Sequence, residues 1–141
     1  MNANTRISFT LAVTGMLAAA PALSKSALPP LQTQGGVAYL SGGIGSDESL
    51  AIRQAEPKFP LTLEFVQKAK PRPEYLADVA VTITDHHGHT ILNTLAEGPF
   101  LLARLAPGAY TVVAEQSGLK KTEHLEIAPR KTERVVFEWA P

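Results

Sequence analysis

Asp85-His86-His87-Gly88-His89 concentrates the coordination chemistry of this chain. Three of its four histidines stand here beside a carboxylate. Neutral imidazoles and a carboxylate oxygen suit Zn²⁺, Cu²⁺ or Ni²⁺. The spacing is less favourable. Successive strand residues point to opposite faces, so His87 and His89 share a side more readily than His86 and His87. The chain has no cysteine and no H-E-x-x-H pattern to complete a site. The same five residues also make an exposed hairpin tip, with Gly88 in a left-handed position. His86, His87 and His89 are therefore metal candidates only, and the chain is read as holding no resident metal and no cofactor. His124, among polar residues, reads as a surface group.

Other constellations are weaker. Gly42-Gly43-Ile44-Gly45 before a predicted helix has the look of a phosphate loop, but it lacks both the Lys-Ser/Thr ending and the G-x-G-x-x-G spacing. There is no G-x-S-x-G elbow. Ser41, Ser46, Ser49 and Ser117 all lie in turn or cap contexts. Asp47-Glu48 reads as the first turn of a helix rather than an acid–base pair. Tyr39, Phe59, Tyr75, Phe100, Tyr110 and Trp139 can form a carbohydrate platform, yet core packing is their default in a small β-domain.

Charge excludes one class of partner. The chain carries 13 basic and 13 acidic residues, with no basic face large enough for nucleic acid. Lys120-Lys121 and Arg130-Lys131 are short pairs at strand ends and turns. Near the start, Arg6 is the sole charge in the first 24 residues. The apolar run over 7–20 is short for a bilayer span, and Ala20-Pro21-Ala22 fits small-x-small cleavage. Residues 1–22 are thus expected to be a signal peptide cleaved after Ala22. A periplasmic or secreted protein without a transmembrane span would follow. The remaining 119 residues are enough for one core without disulfides.

The elements that position these residues are mostly strands. Residues 23–35, with Pro29-Pro30, read as a flexible leader, and 36–141 as one domain. A short strand is expected over 37–40, followed by a loop over 41–46. Ser46 is placed as the N-cap of a short helix reaching about Glu56, where Pro57 stops it. From Phe59 the hydrophobic period becomes two. Leu61, Leu63 and Phe65 share a face. So do Val79, Val81 and Ile83, and later Val135, Phe137 and Trp139. Residues 67–74 read as a polar connection. Leu105-Ala106-Pro107-Gly108-Ala109 separates two alternating runs. Pro107 and Gly108 suit the central positions of a type II turn at a corner of an antiparallel β-domain. About seven strands with turns between them predict an all-β antiparallel sandwich with a short N-terminal helix. Each inward side chain contributes about 1.5–3 kcal/mol by burial.

Residues 98–118, from Gly98 through Phe100 and Leu102, then Leu105, Pro107, Gly108, Tyr110 and Val112, to Gly118, resemble the carboxypeptidase regulatory-like domain. That domain is a transthyretin-like β-sandwich. Residues 76–88 are similar to its preceding hairpin, in which a strand runs into an Asp-x-x-Gly turn. The likeness covers about half the chain, residues 76–139. The run Gly42–Ser49 and the strand over 61–67 also look like a group of small exported proteobacterial proteins that carry this domain. The resemblance implies an accessory module and transfers no activity. The hydroxyisourate hydrolase of the same fold ends in Tyr-Arg-Gly-Ser, whereas this chain ends Val136-Phe137-Glu138-Trp139-Ala140-Pro141.

Two functions follow as expectations. The first is a non-enzymatic exported module that binds a protein or another cell-envelope component, with edge strands available for main-chain pairing. The alternative is a periplasmic transition-metal-binding protein using the hairpin Asp85 to His89.

Overall fold

The computed structural model describes Gly15 and residues 27–141. The predicted signal peptide and the first residues of the leader, Gly15 apart, lie outside the described residues. Among the described residues, no helix is long and apolar enough to cross a membrane.

Among the described residues, ten strands and one α-helix follow one another as β1 (Gln32–Gln34), β2 (Val37–Gly42), α1 (Ser46–Ala55), β3 (Leu61–Gln67), β4 (Glu74–Tyr75), β5 (Val79–Asp85), β6 (Thr90–Ala96), β7 (Phe100–Arg104), β8 (Gly108–Gln116), β9 (Leu119–Ile127) and β10 (Glu133–Trp139). They build two sheets. Sheet I has the order β1-β2-β7-β3-β10, with β4 beside β3, and sheet II the order β6-β5-β8-β9. The all-β sandwich with one short helix is therefore present. The strand count exceeds the expected seven, and pairing is not wholly antiparallel. The last strand, β10, runs parallel to β3 over seven residue pairs, from Glu133 beside Leu61 to Trp139 beside Gln67. After β9 the chain crosses from sheet II to sheet I and enters at the same end as β3.

Period-two alternation puts the core between the sheets. Leu61, Leu63 and Phe65 meet Val79, Val81, Ile83, Phe137 and Trp139 there, as the sequence predicts. Strand β7 is apolar on both faces. Leu101 and Ala103 face the inter-sheet core, while Phe100 and Leu102 face outward to a second cluster with Leu40, Ile52, Ala55 and Phe59. Helix α1 caps that outer cluster and adds a partial third layer. It covers the β2–β7 half of sheet I.

Four local expectations change. The leader is not wholly irregular, because Gln32–Gln34 pairs with β2 as strand β1. Residues 67–74 end in the short strand β4. Gly45, not Ser46, occupies the N-cap of α1, and no side chain caps the helix. The carboxylate of Glu48 instead accepts from the Gly43 N–H at 2.8 Å. Pro57 sits in a 3-10 turn, Glu56–Lys58, that ends the helical segment.

The Pro107-Gly108 segment is a corner, but not a type II turn. It joins β7 of sheet I to β8 of sheet II. Gly108 has φ 152° and already belongs to β8. That φ still favours glycine. The Tyr110 hydroxyl donates to the Ala106 carbonyl at 2.7 Å and ties the corner closed, as in a tyrosine corner.

Candidate functional site

The hairpin between β5 and β6 holds the three clustered histidines. Gly88 has φ 80°, the left-handed position expected of it. The Gly88 N–H donates to the Asp85 carbonyl, and the Asp85 N–H to the His89 carbonyl. The Asp85 carboxylate is committed to the turn. Its Oδ1 accepts from the backbone N–H of both His87 and His89, each at 2.9 Å. The His89 N–H does most to hold the carboxyl below its ordinary range. Burial opposes this, and the His87 N–H and the nearby imidazoles add to the lowering. His89 Nδ1 lies 3.6 Å from Asp85 Oδ2.

The imidazoles are not arranged as strand alternation predicts. His86 and His87 have ring centroids 3.8 Å apart, against 5.9 Å for His87 and His89. Both His86 and His87 lie in the turn, where alternation does not apply. Among the described residues, no group of three or more His, Asp or Glu side chains is arranged to hold a metal ion.

A shallow cleft beside this tip, of about 340 Å³, is lined by Asp85, His86, Tyr110, Thr111, His124 and residues that follow His124. Burial, then the charge of Asp85, raises the Tyr110 phenol above its ordinary range. Thr111 Oγ1 lies 3.0 Å from His124 Nδ1. The two are direct cross-strand neighbours on β8 and β9, and that pairing accounts for the contact. An activated hydroxyl needs a base that a third group orients. His124 is exposed, as expected, and has no second partner among the described residues.

The glycine run over 42–45 does not present a free anion cradle. Glu48 already fills the position of an anion at Gly43, and Asp47 adds a second carboxylate to the same turn. Both charges oppose phosphate.

The larger surface feature lies on the half of sheet I that α1 leaves open. A groove of about 680 Å³ runs there, lined by Glu64, Val66, Arg72, Tyr75, Val136 and Glu138, among others. Its floor follows from register. Leu61, Leu63 and Phe65 face the core, so Thr62, Glu64 and Val66 face outward, with Arg134, Val136 and Glu138 beside them on β10. Tyr75 forms one wall. It packs on Phe100 with ring centroids 5.6 Å apart, accepts a hydrogen bond from Arg53, and stays half exposed. Val136 is 48% exposed although it is the middle residue of its strand. A core role for Tyr75 is thus corrected, while Tyr39, Phe59, Phe100 and Trp139 are buried.

One ion network braces this groove. Arg134 Nη2 lies 2.7 Å from Glu64 Oε2, and its Nε 3.5 Å from Glu56 Oε2. Burial works against the guanidinium charge. The hydrogen bond and charge of Glu64, then those of Glu56, outweigh it, and the group is held charged above its ordinary range. A sequence signal for the groove exists in β10. A lone valine stands between Arg134 and Glu138 on the face opposite Val135, Phe137 and Trp139. Nothing in the sequence marks Tyr75 or Glu64 as its neighbours. Compared with known protein families and with curated proteins, the chain matches none of either.

Proposed function

We propose that this protein is a non-enzymatic binding module of the cell envelope, exported through residues 1–22 and built as a transthyretin-like, carboxypeptidase regulatory-like sandwich. The open half of sheet I is its docking face. The observation that carries the reading is the groove over β3, β4 and β10, where Val136 and Tyr75 stay exposed beside paired charges. An exposed apolar patch rimmed by polar groups is a mark of an interaction site, and a protein interface shares that apolar centre and polar rim. The resemblance of residues 76–139 to an accessory domain supports the same reading. The partner is a protein or another envelope component, contacted through an extended segment with an apolar side chain against Val136.

Cross-linking in intact cells followed by affinity recovery tests this. The wild type is expected to return a reproducible partner, and Tyr75→Ala to lose most of it while keeping its β-rich circular dichroism. Recovery of no partner, combined with turnover in a substrate screen, would overturn the reading.

A further inference from the structure

The free sheet edges of this protein differ in how they are protected. In sheet II, β6 is capped by the β1–β2 hairpin, because the Asn93 N–H donates to the Gln34 side chain and Gly35 lies against the Ile91 carbonyl. Strand β9 guards itself. Lys121 and Glu123 stand opposite the buried Ala114 and Val112 and so point toward the core side. Inward-pointing charges on an edge oppose strand addition. In sheet I, β1 offers three residues. Strand β10 offers seven and, among the described residues, pairs with β3 alone.

The backbone of β10 shows which groups are free. The Glu133 N–H donates to the Pro60 carbonyl, and the Trp139 carbonyl accepts from the Lys68 N–H. In a parallel ladder the residues in this phase turn both main-chain groups toward one neighbour. Glu133, Val135, Phe137 and Trp139 therefore face β3. Arg134, Val136 and Glu138 turn their N–H and C=O groups away from it, toward the open edge.

We propose that β10 pairs antiparallel with β10 of a second copy about a two-fold axis at Val136. This register opposes Val136 to Val136 and Arg134 to Glu138, in both directions. Every outward-turned residue then meets another, and each such pair exchanges two main-chain hydrogen bonds. Opposite charges face each other across the seam, which favours the pairing. Moving the axis to Val135 sets Arg134 against Val136, and moving it to Phe137 sets Glu138 against Val136, so both lose the charge match. An axis between residues sets outward groups against inward ones and forms no ladder. The sequence of β10 thus favours one self-complementary register, as a two-fold interface requires. The two grooves over sheet I then lie on the same face of one continuous sheet.

The pairing goes beyond the docking of an external partner. A monomer that still captures a partner would overturn it and leave the docking reading intact; a dimer that captures none would do the reverse. A one-strand seam is small, so the dimer belongs to the weak class. Sedimentation of the purified protein up to about 100 µM covers that range. The wild type is expected to dimerise. Val136→Lys faces two ammonium groups at the axis and is expected to weaken the dimer about tenfold or more. Val136→Thr keeps an uncharged β-branched residue and is expected to keep the dimer. The chain has no thiol of its own, so Val136→Cys gives an independent reading. A hydrogen-bonded pair sets the two Cα atoms about 5.5 Å apart, within disulfide range. Mild oxidation should cross-link Val136→Cys rapidly and Thr122→Cys, on exposed β9, slowly. A wild type that stays monomeric, a Val136→Lys dimer of unchanged affinity, or equal cross-linking at both positions would overturn the proposal.

Discussion

The hydroxyl of Tyr110 donates to the carbonyl of Ala106 across 2.7 Å, and this bond ties β8 to the middle of the three-residue link by which the chain leaves β7. Both strands are central to the sandwich, so the corner sets how the two sheets meet. Tyr110→Phe removes the bond and little else. The expected loss is about 1 kcal/mol of unfolding free energy, read by urea denaturation. An unchanged midpoint would show that Pro107 and the glycine at 108 hold the corner without it.

Asp85 is predicted to act on the hairpin rather than on a ligand. Its two backbone acceptor bonds lower its folded pKa below the ordinary value of 3.8. A lowered folded pKa contributes stability above the unfolded value, and that contribution is lost as pH falls below about 3.8 toward the folded value. Asp85→Ala should loosen the tip, seen as faster amide exchange at His87 and His89. Asp85→Asn retains an acceptor oxygen and should restore part of the protection while flattening the acid limb of stability. Equal exchange in wild type and Asp85→Ala would contradict the assigned role.

Arg134 braces Glu64, which is 9% exposed, and Glu56. Breaking a buried pair from one side leaves a charge without its partner. The Arg134 side chain is itself 42% exposed, so solvent screens part of the loss. Arg134→Ala is expected to cost about 2 kcal/mol. Glu64→Gln in the same chain should recover part of that cost, because the stranded charge is gone. A double-mutant cycle with no coupling between the two positions would mean the network is ornamental.

The sandwich was legible where burial repeats every second residue. Val79, Val81 and Ile83 on β5, and Phe137 and Trp139 on β10, are inward because no other arrangement hides them together. The corner was legible from Pro107 and Gly108, but its role in changing sheets was not, since a turn residue does not say which strands it separates. Strand β1, Gln-Thr-Gln, carries no apolar signal and is held by pairing with β2 and by the hydrogen bond from the Asn93 N–H to Gln34. The outward burial of Phe100 and Leu102 needs the helix to be placed, which lies beyond strand periodicity. The groove was hidden for a related reason. Tyr75, Glu64 and Val136 come from three strands, and their adjacency follows from the parallel register of β3 and β10, a long-range property. The histidines show the opposite case. They are conspicuous in sequence, yet the turn that holds them directs its carboxylate to the backbone.

The most direct test of the docking face is site-specific photo-cross-linking in intact cells, with the photoreactive side chain placed at Tyr75 in the groove or at Thr122 on β9. The account predicts discrete adducts of defined mass from position 75 and none from position 122. Adducts of equal yield at both positions, or none at position 75, would contradict it.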